Sequence, residues 1–199
     1  DIAQCLVGSE MCIRDRYSTN CAFISRHKYA IMGAIGGINL TGLLKHCRLC
    51  PRACGADRTR TRGLCGANDQ IEAARASLHL WEEPPISGTR GSGTVFFYHC
   101  SLGCVFCQNR QISRREAAGK AVSVQSLART FLSLERQGAH NINLVTGAHY
   151  VPHIIEALRL ARRDGLAIPI VYNSSGYESV DTLRLLDGWI DIYLPDYKY

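Results

Sequence analysis

The chain has 199 residues, of which 46% are hydrophobic, so it can bury one sizeable core and at most a small appended module. Its net charge of +6 is spread along the sequence and is concentrated only in "DRTRTR" and at the pair Arg114 and Arg115. Because no aromatic residues interleave with these arginines, we favour a solvated loop over a nucleic-acid contact and expect no nucleic-acid partner.

Ten cysteines would indicate disulfides in a short secreted protein, but seven of them lie in two tight groups that each contain a C-x2-C pair. This spacing favours metal or cluster ligation in a reducing compartment, so we expect a cytoplasmic protein. The apolar stretch 29–44 is interrupted by Gly, Asn39 and Thr41 and is too short to span a bilayer. We therefore expect no membrane partner.

The first residues, 1–16, contain "CLVGSEMCIRD", which resembles the translation of a sequencing-library adapter. We interpret them as an artefact and exclude them from the fold prediction, the alternative being a disordered tail. Residues 17–46 form an N-terminal segment, and residues 47–92 are predicted to be a Cys-rich module followed by a linker. The linker, "QIEAARASLHLWEEPPISGTRGSG", carries a proline pair and glycines that indicate turns, with Glu82 and Glu83 at the surface.

From Gly93 onward the sequence alternates between strand and helix patterns. "TVFFY", "NINLVT", "IPIVYN" and "WIDIYL" are rich in β-branched and aromatic residues and predict strands. "SVQSLARTFLSLERQG" predicts a helix that is capped by Ser123 and stopped by Gly138. "VPHIIEALRLARRDG" predicts a second helix with Pro152 in its first turn and Gly165 at its end, and "VDTLRLLDG" a third.

This β-α-β-α-β-α-β order, with near-continuous apolar strands, predicts parallel strands and an α/β fold. In such folds the chemistry gathers in the loops after the carboxyl ends of the strands. Here those loops are "HCSLGCVFCQN", "TGAHY", "NSSGY" and "PDYKY", and we predict a site shared among them. Because a closed α/β barrel needs about 200 residues, we expect residues 93–199 to be an incomplete core that is truncated at its C-terminus.

The first of these loops has three cysteines, Cys100, Cys104 and Cys107, at C-x3-C-x2-C spacing. Three thiolates can hold an iron–sulfur cluster and leave one iron open to a substrate or cosubstrate. The alternative that the spacing leaves open is a zinc site with His99 as the fourth ligand.

"CSLGCVFCQN" after a strand, with Phe106 directly before the last cysteine, resembles the cluster loop of the radical S-adenosylmethionine (SAM) enzymes. Together with "CRLCPRACG", "WEEPPISGTRGSGTVFF", "IPIVYNSSGYE" and "DIYLPDYKY", it resembles, over residues 47–199, the branch of pyruvate formate-lyase activating enzyme-like proteins. The resemblance implies a partial (β/α) barrel of the radical SAM type, preceded by the small Cys-rich module.

The resemblance implies that Cys100, Cys104 and Cys107 bind three irons of a [4Fe-4S] cluster and that SAM binds the fourth. Reduction by a donor such as flavodoxin or ferredoxin would cleave SAM to methionine and a 5′-deoxyadenosyl radical, which abstracts hydrogen. By analogy with the namesakes, the substrate would be a backbone glycine of a partner enzyme. A small molecule, a modified RNA or a peptide remains open.

The resemblance also implies contacts with SAM in the other loops. Asn173, Ser174 and Ser175 match residues near the SAM ribose or carboxylate, or else cap the next helix. Asp196 and Lys198 form a D-x-K pair whose lysine suits the SAM carboxylate, the alternative being an exposed pair. The segment that holds the SAM amino group in the family is occupied here, without its acid, by Thr146, Gly147 and Ala148.

Two histidines, His149 and His153, have i, i+4 spacing and could face one metal ion. Because there is no HExxH glutamate, we expect one to be polar lining and the other to lie at the surface.

The upstream cysteines, Cys47, Cys50, Cys54 and Cys65, form a complete four-ligand set, with His46 as a less favoured substitute. A closed site predicts a structural or electron-transfer role, and the spacing leaves zinc and a second iron–sulfur cluster equally open. The competing interpretation of the whole chain is therefore a non-catalytic metal-binding or electron-transfer module, which predicts no SAM binding.

Overall fold

The computed structural model describes residues 39–196, except for the side chain of Thr41. All of these residues belong to one compact unit. Three sequence predictions fall partly or wholly outside the described residues: the artefact 1–16, most of the N-terminal segment 17–46, and Lys198.

Within residues 39–196 strands and helices alternate after an N-terminal stretch of loops. Short 3-10 helices lie at Leu40–Leu44 and Ala148–Tyr150. The remaining elements are, in chain order, β1 (Ile71–His79), α1 (Pro84–Ser87), β2 (Ser92–Phe97), α2 (Arg110–Ser113), β3 (Ala121–Val122), α3 (Val124–Arg136), β4 (Ile142–Val145), α4 (Val151–Arg163), β5 (Ile170–Ser174), α5 (Val180–Leu185) and β6 (Ile192–Pro195).

The strands form one six-stranded mixed sheet in the order β3-β1-β2-β4-β5-β6. Strands β2, β4, β5 and β6 are parallel, which confirms the parallel α/β prediction. The predicted barrel is not confirmed: in the described part of the chain, the sheet has β3 and β6 as its edges.

The linker prediction is wrong for residues 71–79, which form β1, the longest strand of the sheet. β1 pairs antiparallel with β2 over most of its length, from Ala73 opposite Phe97 to His79 opposite Ser92. It carries few large apolar residues, and its place in the sheet rests on the backbone ladder to β2 and not on a strong hydrophobic pattern.

Both long helices have the predicted ends. The Ser123 side chain accepts a hydrogen bond from the backbone N–H of Ser126, and Gly138 ends the turn after α3 with φ +93°. In α4, Pro152 lies in the first turn, and Gly165 follows the helix with φ +105°. Both glycines adopt a left-handed conformation that other residues avoid, which explains why each helix stops where it does.

The helices and the candidate site lie on opposite faces of β2. A Cβ at Gly93 would lie 3.1 Å from that of Leu134 in α3, so Gly93 faces the helix. Side chains alternate along a strand, which turns Phe96 to the other face, where it lines a cavity. Helix α3 contacts β1, β2 and β4, and α4 packs against α3.

Candidate functional site

A cavity of about 310 Å³ lies at the carboxyl ends of β2, β4, β5 and β6. The cysteine loop after β2 lines it with Cys100, Cys104, Phe106 and Cys107. The ends of the later strands line it with Thr146, Asn173, Ser174, Ser175 and Asp196. The structure therefore brings the cysteine loop and the strand-end residues to one place, as parallel topology requires.

Two of the residues predicted to contact SAM do not line this cavity. Ala148 is buried in the short 3-10 helix, and a Cβ at Gly147 would lie 2.6 Å from Ile154 and 3.4 Å from Phe97. Thr146 has φ +57°, a backbone conformation that is unfavourable for a β-branched residue. This turn places Thr146 at the cavity and carries Gly147 back into the core.

The cysteine loop begins directly after β2. The sulfur of Cys100 accepts a hydrogen bond from the backbone N–H of Leu102 at 3.4 Å, and that of Cys107 accepts one from the Ser113 hydroxyl at 3.3 Å. Burial raises the pKa of the Cys100 thiol, backbone hydrogen bonds oppose this rise, and the nearby thiols of Cys104 and Cys107 add to it.

The donor set of this loop fits an iron–sulfur cluster. Its three thiols are free cysteines of intermediate exposure that all face the same cavity. Among residues 39–196, no group of three or more His, Cys, Asp or Glu side chains converges enough to hold a single metal ion. A cluster binds each thiolate to a different iron, so three thiols spaced around the cavity wall suit it without meeting at one point.

His99, the alternative fourth ligand, is bound in a buried polar network. Its side chain is fully buried, with Nε2 3.5 Å from a carboxylate oxygen of Glu72 and 3.3 Å from the guanidinium of Arg62. The other Glu72 oxygen is 3.4 Å from Arg62. The backbone N–H of Gly119 donates to Glu72 at 2.7 Å. This network fixes the backbone immediately before Cys100, and the sequence analysis missed Glu72 because it assigned β1 to a linker.

The surface prediction for Glu82 is wrong. Its carboxylate lies 2.8 Å from Nδ1 of His79, accepts a hydrogen bond from the Thr94 hydroxyl at 3.3 Å, and lines the cavity. Glu83 is exposed, as expected. Glu82 follows the end of β1, so the strand that the sequence analysis missed also explains why this acid turns inward.

His149 lies in the short 3-10 helix after β4 and His153 in the first turn of α4, and neither lines the cavity. His149 is buried, with Nε2 2.7 Å from the carbonyl of Tyr98, and burial lowers its pKa to about 3. Nε2 of His153 lies 2.8 Å from the carbonyl of Asp69, and burial lowers its pKa as well. A carbonyl only accepts, so each Nε2 is a donor. The expectation that one of them lines the site is therefore wrong, whereas His153 keeps intermediate exposure.

The four upstream cysteines lie close together on the loops before β1. Cys47 is buried with Leu44 and Leu49, and the thiol of Cys54 contacts that of Cys47. Burial raises the pKa of the Cys50 thiol, and the neighbouring thiols of the set add to that rise. The structure thus brings Cys54 against Cys47, with Cys50 and Cys65 within electrostatic range of them. His46 packs its ring beside Gly55.

One side chain joins the upstream cysteines to the loop after β2. The guanidinium of Arg52, between Cys50 and Cys54, donates to the carbonyl of Ser101 at 2.6 Å and to that of Leu102 at 3.1 Å. Both carbonyls lie between the first two cysteines of the loop. The two cysteine groups are therefore neighbours, although each has its own ligand set.

The expectation that "DRTRTR" is a solvated loop is wrong for Arg58, which is 1% exposed. Its guanidinium donates to the carbonyls of Asn68 and His149. The His149 carbonyl is 91 positions away in the sequence, and a backbone carbonyl such as that of Asn68 gives no sequence signal. Composition alone could therefore not reveal this burial.

No helix among residues 39–196 is long and apolar enough to cross a membrane. No solved structure matches the chain. Over 163 residues the chain is 31% identical to Uncharacterized protein MJ0674 of Methanocaldococcus jannaschii, a match that covers 79% of this chain and 46% of that protein. The chain thus spans about half the length of the curated relative that it matches.

The model of the Radical SAM superfamily matches residues 94–194, about half of the chain. The match begins in β2, includes the three-cysteine loop and ends in β6, so it contains nearly every wall of the cavity. Members of this family use a [4Fe-4S] cluster and SAM in radical reactions. The chain belongs to the radical SAM superfamily.

Proposed function

We propose that this chain forms the cluster-binding and SAM-binding core of an activating-enzyme-like radical SAM enzyme. The observation that carries the proposal is the cavity in which three free cysteines face the polar ends of three parallel strands. A [4Fe-4S] cluster held by these cysteines would, once reduced, supply the electron for cleavage of SAM to methionine and a 5′-deoxyadenosyl radical. The chain's own residues bind the two cofactors and exclude water around them.

Within this proposal Cys100, Cys104 and Cys107 hold the cluster. Phe106 is 66% exposed beside the last of them, and within this proposal its aromatic face would pack against a bound adenosyl group. The loop stands on β2, whose end is fixed by the Glu72 network. Cluster ligands are therefore presented by a rigid element, as a cofactor site requires.

The contacts to SAM are divided among the three later loops. The hydroxyl of Ser174 donates to Glu178 at 2.8 Å and accepts from the N–H of Gly176, so its single donor is already used. We therefore assign side-chain contacts with SAM to Asn173 and Ser175 ahead of Ser174. Because Gly147 and Ala148 turn away from the cavity, that loop would contribute through Thr146. Lys198 and Asp196 complete the proposed set.

We further propose that a small electron-transfer protein of the flavodoxin or ferredoxin type reduces the cluster in the cytoplasm. For the hydrogen donor we propose a backbone glycine of a partner enzyme, following the resemblance of the ordered motifs to the activating-enzyme-like branch. The substrate assignment rests on that resemblance and on no residue of the cavity.

The test is anaerobic reconstitution of the protein, followed by reduction with and without SAM. We expect SAM to change the electron paramagnetic resonance spectrum of the reduced cluster and 5′-deoxyadenosine to accumulate. Cys104→Ser should abolish both signals, while Val105→Ala, at the exposed neighbouring residue, should retain them.

Protein that holds the Cys100, Cys104 and Cys107 cluster but shows neither the spectral change nor 5′-deoxyadenosine would contradict the proposal. That outcome would favour the non-catalytic electron-transfer module. The spectral change reports SAM binding before any turnover, so it tests the site separately from the complete reaction.

A further inference from the structure

Arg58 is a buried cation whose contacts within residues 39–196 are all with uncharged groups. Its Nε lies 3.1 Å from the carbonyl of Asn68, and its Nη1 lies 2.5 Å from the carbonyl of His149 and 3.9 Å from the sulfur of Cys47. The guanidinium also lies 5.8 Å from the centre of the Tyr150 ring. These contacts satisfy its donors, but carbonyls, a ring and a thiol carry no net charge.

An arginine side chain keeps its proton in proteins, so burial cannot neutralise it. A buried charge is costly unless an opposite charge accompanies it. Within residues 39–196, the carboxylates that pair with arginine do so with Arg62, Arg159, Arg162, Arg163 and Arg184, and none lies within 4 Å of Arg58. Because no described carboxylate pairs with Arg58, a different type of anion is needed to balance its charge.

The four upstream cysteines are the groups placed to supply that anion. Cys47 contacts Arg58 directly, and the charge of Arg58 also reaches Cys65. Cys54 contacts Cys47, and Cys50 lies within the electrostatic range of the other three. As thiols they are neutral, but metal binding deprotonates a coordinating thiol, and four thiolates around a divalent metal or a cluster leave a net negative charge.

We propose that Cys47, Cys50, Cys54 and Cys65 form a closed metal–thiolate centre whose negative charge is balanced by the buried Arg58. The centre is distinct from the three-cysteine loop and does not depend on SAM chemistry. Because all four ligands come from the protein, it has no open position for a substrate. Arg52 places it beside the loop after β2, whose backbone it helps to hold through the carbonyls of Ser101 and Leu102.

Among residues 39–196, no group of three or more His, Cys, Asp or Glu side chains is arranged to hold a single metal ion. Binding therefore requires either that the loops close around a single ion or that a cluster offers each thiolate its own iron. Zinc and an iron–sulfur cluster share the same soft thiolate chemistry, and metal analysis separates them.

The first experiment uses a variant that lacks the three-cysteine site of the loop after β2. A variant with Cys100, Cys104 and Cys107 all changed to Ala is reconstituted anaerobically with iron and sulfide, or with zinc, and desalted. We expect retention of either about four irons or about one zinc per chain, and loss of that metal when Cys50→Ser is added. A chain that retains neither metal would overturn the proposal, whatever the fate of the SAM reaction.

The second experiment tests the charge. In the same background, Arg58→Gln should weaken metal retention against a competing chelator by at least about tenfold, the usual loss on removing an outer partner of a metal site. Arg60→Gln, at an exposed arginine of the same loop, is the matched control and should retain the metal. Equal retention by the two variants would refute the role of Arg58.

If Arg58→Gln fails to fold, as judged by circular dichroism, Arg58→Lys replaces it. Lysine keeps the positive charge and loses the planar hydrogen-bonding fork. Retention by Arg58→Lys supports the proposal, because the charge suffices. A folded Arg58→Lys variant that has lost the metal contradicts it, because geometry and not charge would then decide binding.

Discussion

At the scale of single residues, Gly66 shows how closely the two cysteine groups are packed. Gly66 follows Cys65 with φ +99°, and a Cβ there would lie 2.7 Å from the carbonyl of Arg115 and 2.8 Å from Nδ1 of His99. His99 in turn precedes Cys100. A side chain at Gly66 would therefore press on the residue that positions the first ligand of the other group.

We predict that Gly66→Ala lowers the free energy of unfolding by about 2–5 kcal/mol, from unfavourable φ and overpacking together. Gly165→Ala is the matched control, because Gly165 has φ +105° and no atom within 4 Å of an added Cβ. It should cost only the backbone part, about 1–2 kcal/mol. Urea unfolding of both variants measures the difference, and equal losses would show that the contacts with His99 and Arg115 do not matter.

His149 gives a pH dependence of stability whose sign follows from its burial. Burial lowers the folded-state pKa to about 3, from an ordinary value of 6.5, and the positive charge of Arg58 adds to the shift. Between these values the unfolded chain binds a proton that the folded chain excludes. The stabilising contribution of His149 to the free energy of unfolding is therefore fully present above about pH 6.5, and it is lost as the pH is lowered through this window.

We predict a slope of up to about 1.4 kcal/mol per pH unit from His149 between pH 6 and pH 4. His153 adds in the same direction, because burial lowers its pKa too. His149→Gln keeps a donor for the Tyr98 carbonyl and should flatten the profile, with the exposed His46→Gln as the control. Urea unfolding across this range gives the slopes, and an unchanged slope in His149→Gln would exclude His149 as its source.

At the scale of elements, Arg52 couples the upstream loops to the loop after β2. Its two hydrogen bonds hold the carbonyls of Ser101 and Leu102, inside the C-x3-C part of the motif. We predict that Arg52→Gln increases the rate of cluster loss from the three-cysteine loop to a chelator by about tenfold. Arg48→Gln, an exposed arginine of the same segment, should not. Anaerobic absorbance decay measures both rates, and a parent-like rate in Arg52→Gln would show that this contact does not support the loop.

The sequence predicts the helices and parallel strands well because side-chain periodicity and end signals act locally. The Ser123 cap and the apolar stripe of α3 lie within one short window, so the pattern alone identifies them. β1 lacks that pattern and is a strand because β2 pairs with it, a contact that no local window contains. The inward turn of Glu82 could not be predicted for the same reason.

The candidate site, like the fold, could be predicted from the sequence only in part. The cysteine motif and the strand-end loops follow from spacing and topology, so their meeting in one cavity could be predicted. The burial of Arg58 depends on the carbonyl of His149, 91 positions along the chain, and only the folded structure supplies that contact. The position of Gly147 outside the cavity likewise depends on its packing against Ile154 and Phe97.

At the scale of the whole molecule, the described chain has one extensive sheet-and-helix core and a loop-built segment before it. The segment has a small buried cluster of Leu44, Cys47 and Leu49, whereas buried side chains of α3, α4 and the strands fill the main core. So small a cluster contributes little burial energy, and such segments depend on metals or cross-links for stability. Metal binding at the upstream cysteines should therefore stabilise this segment far more than the sheet.

Limited proteolysis tests this expectation on the complete chain. We predict that, among the sites in residues 39–196, trypsin cuts first after the exposed Arg60 in metal-free protein, because local opening exposes that loop. Metal loading should slow this cut by at least about tenfold. Cleavage after Arg136, which is exposed at the end of α3, is the internal control and should change little. Fragment masses over time give both rates. Equal slowing at the two sites would mean that metal stabilises the molecule globally, and no slowing at Arg60 would mean that the segment folds without metal.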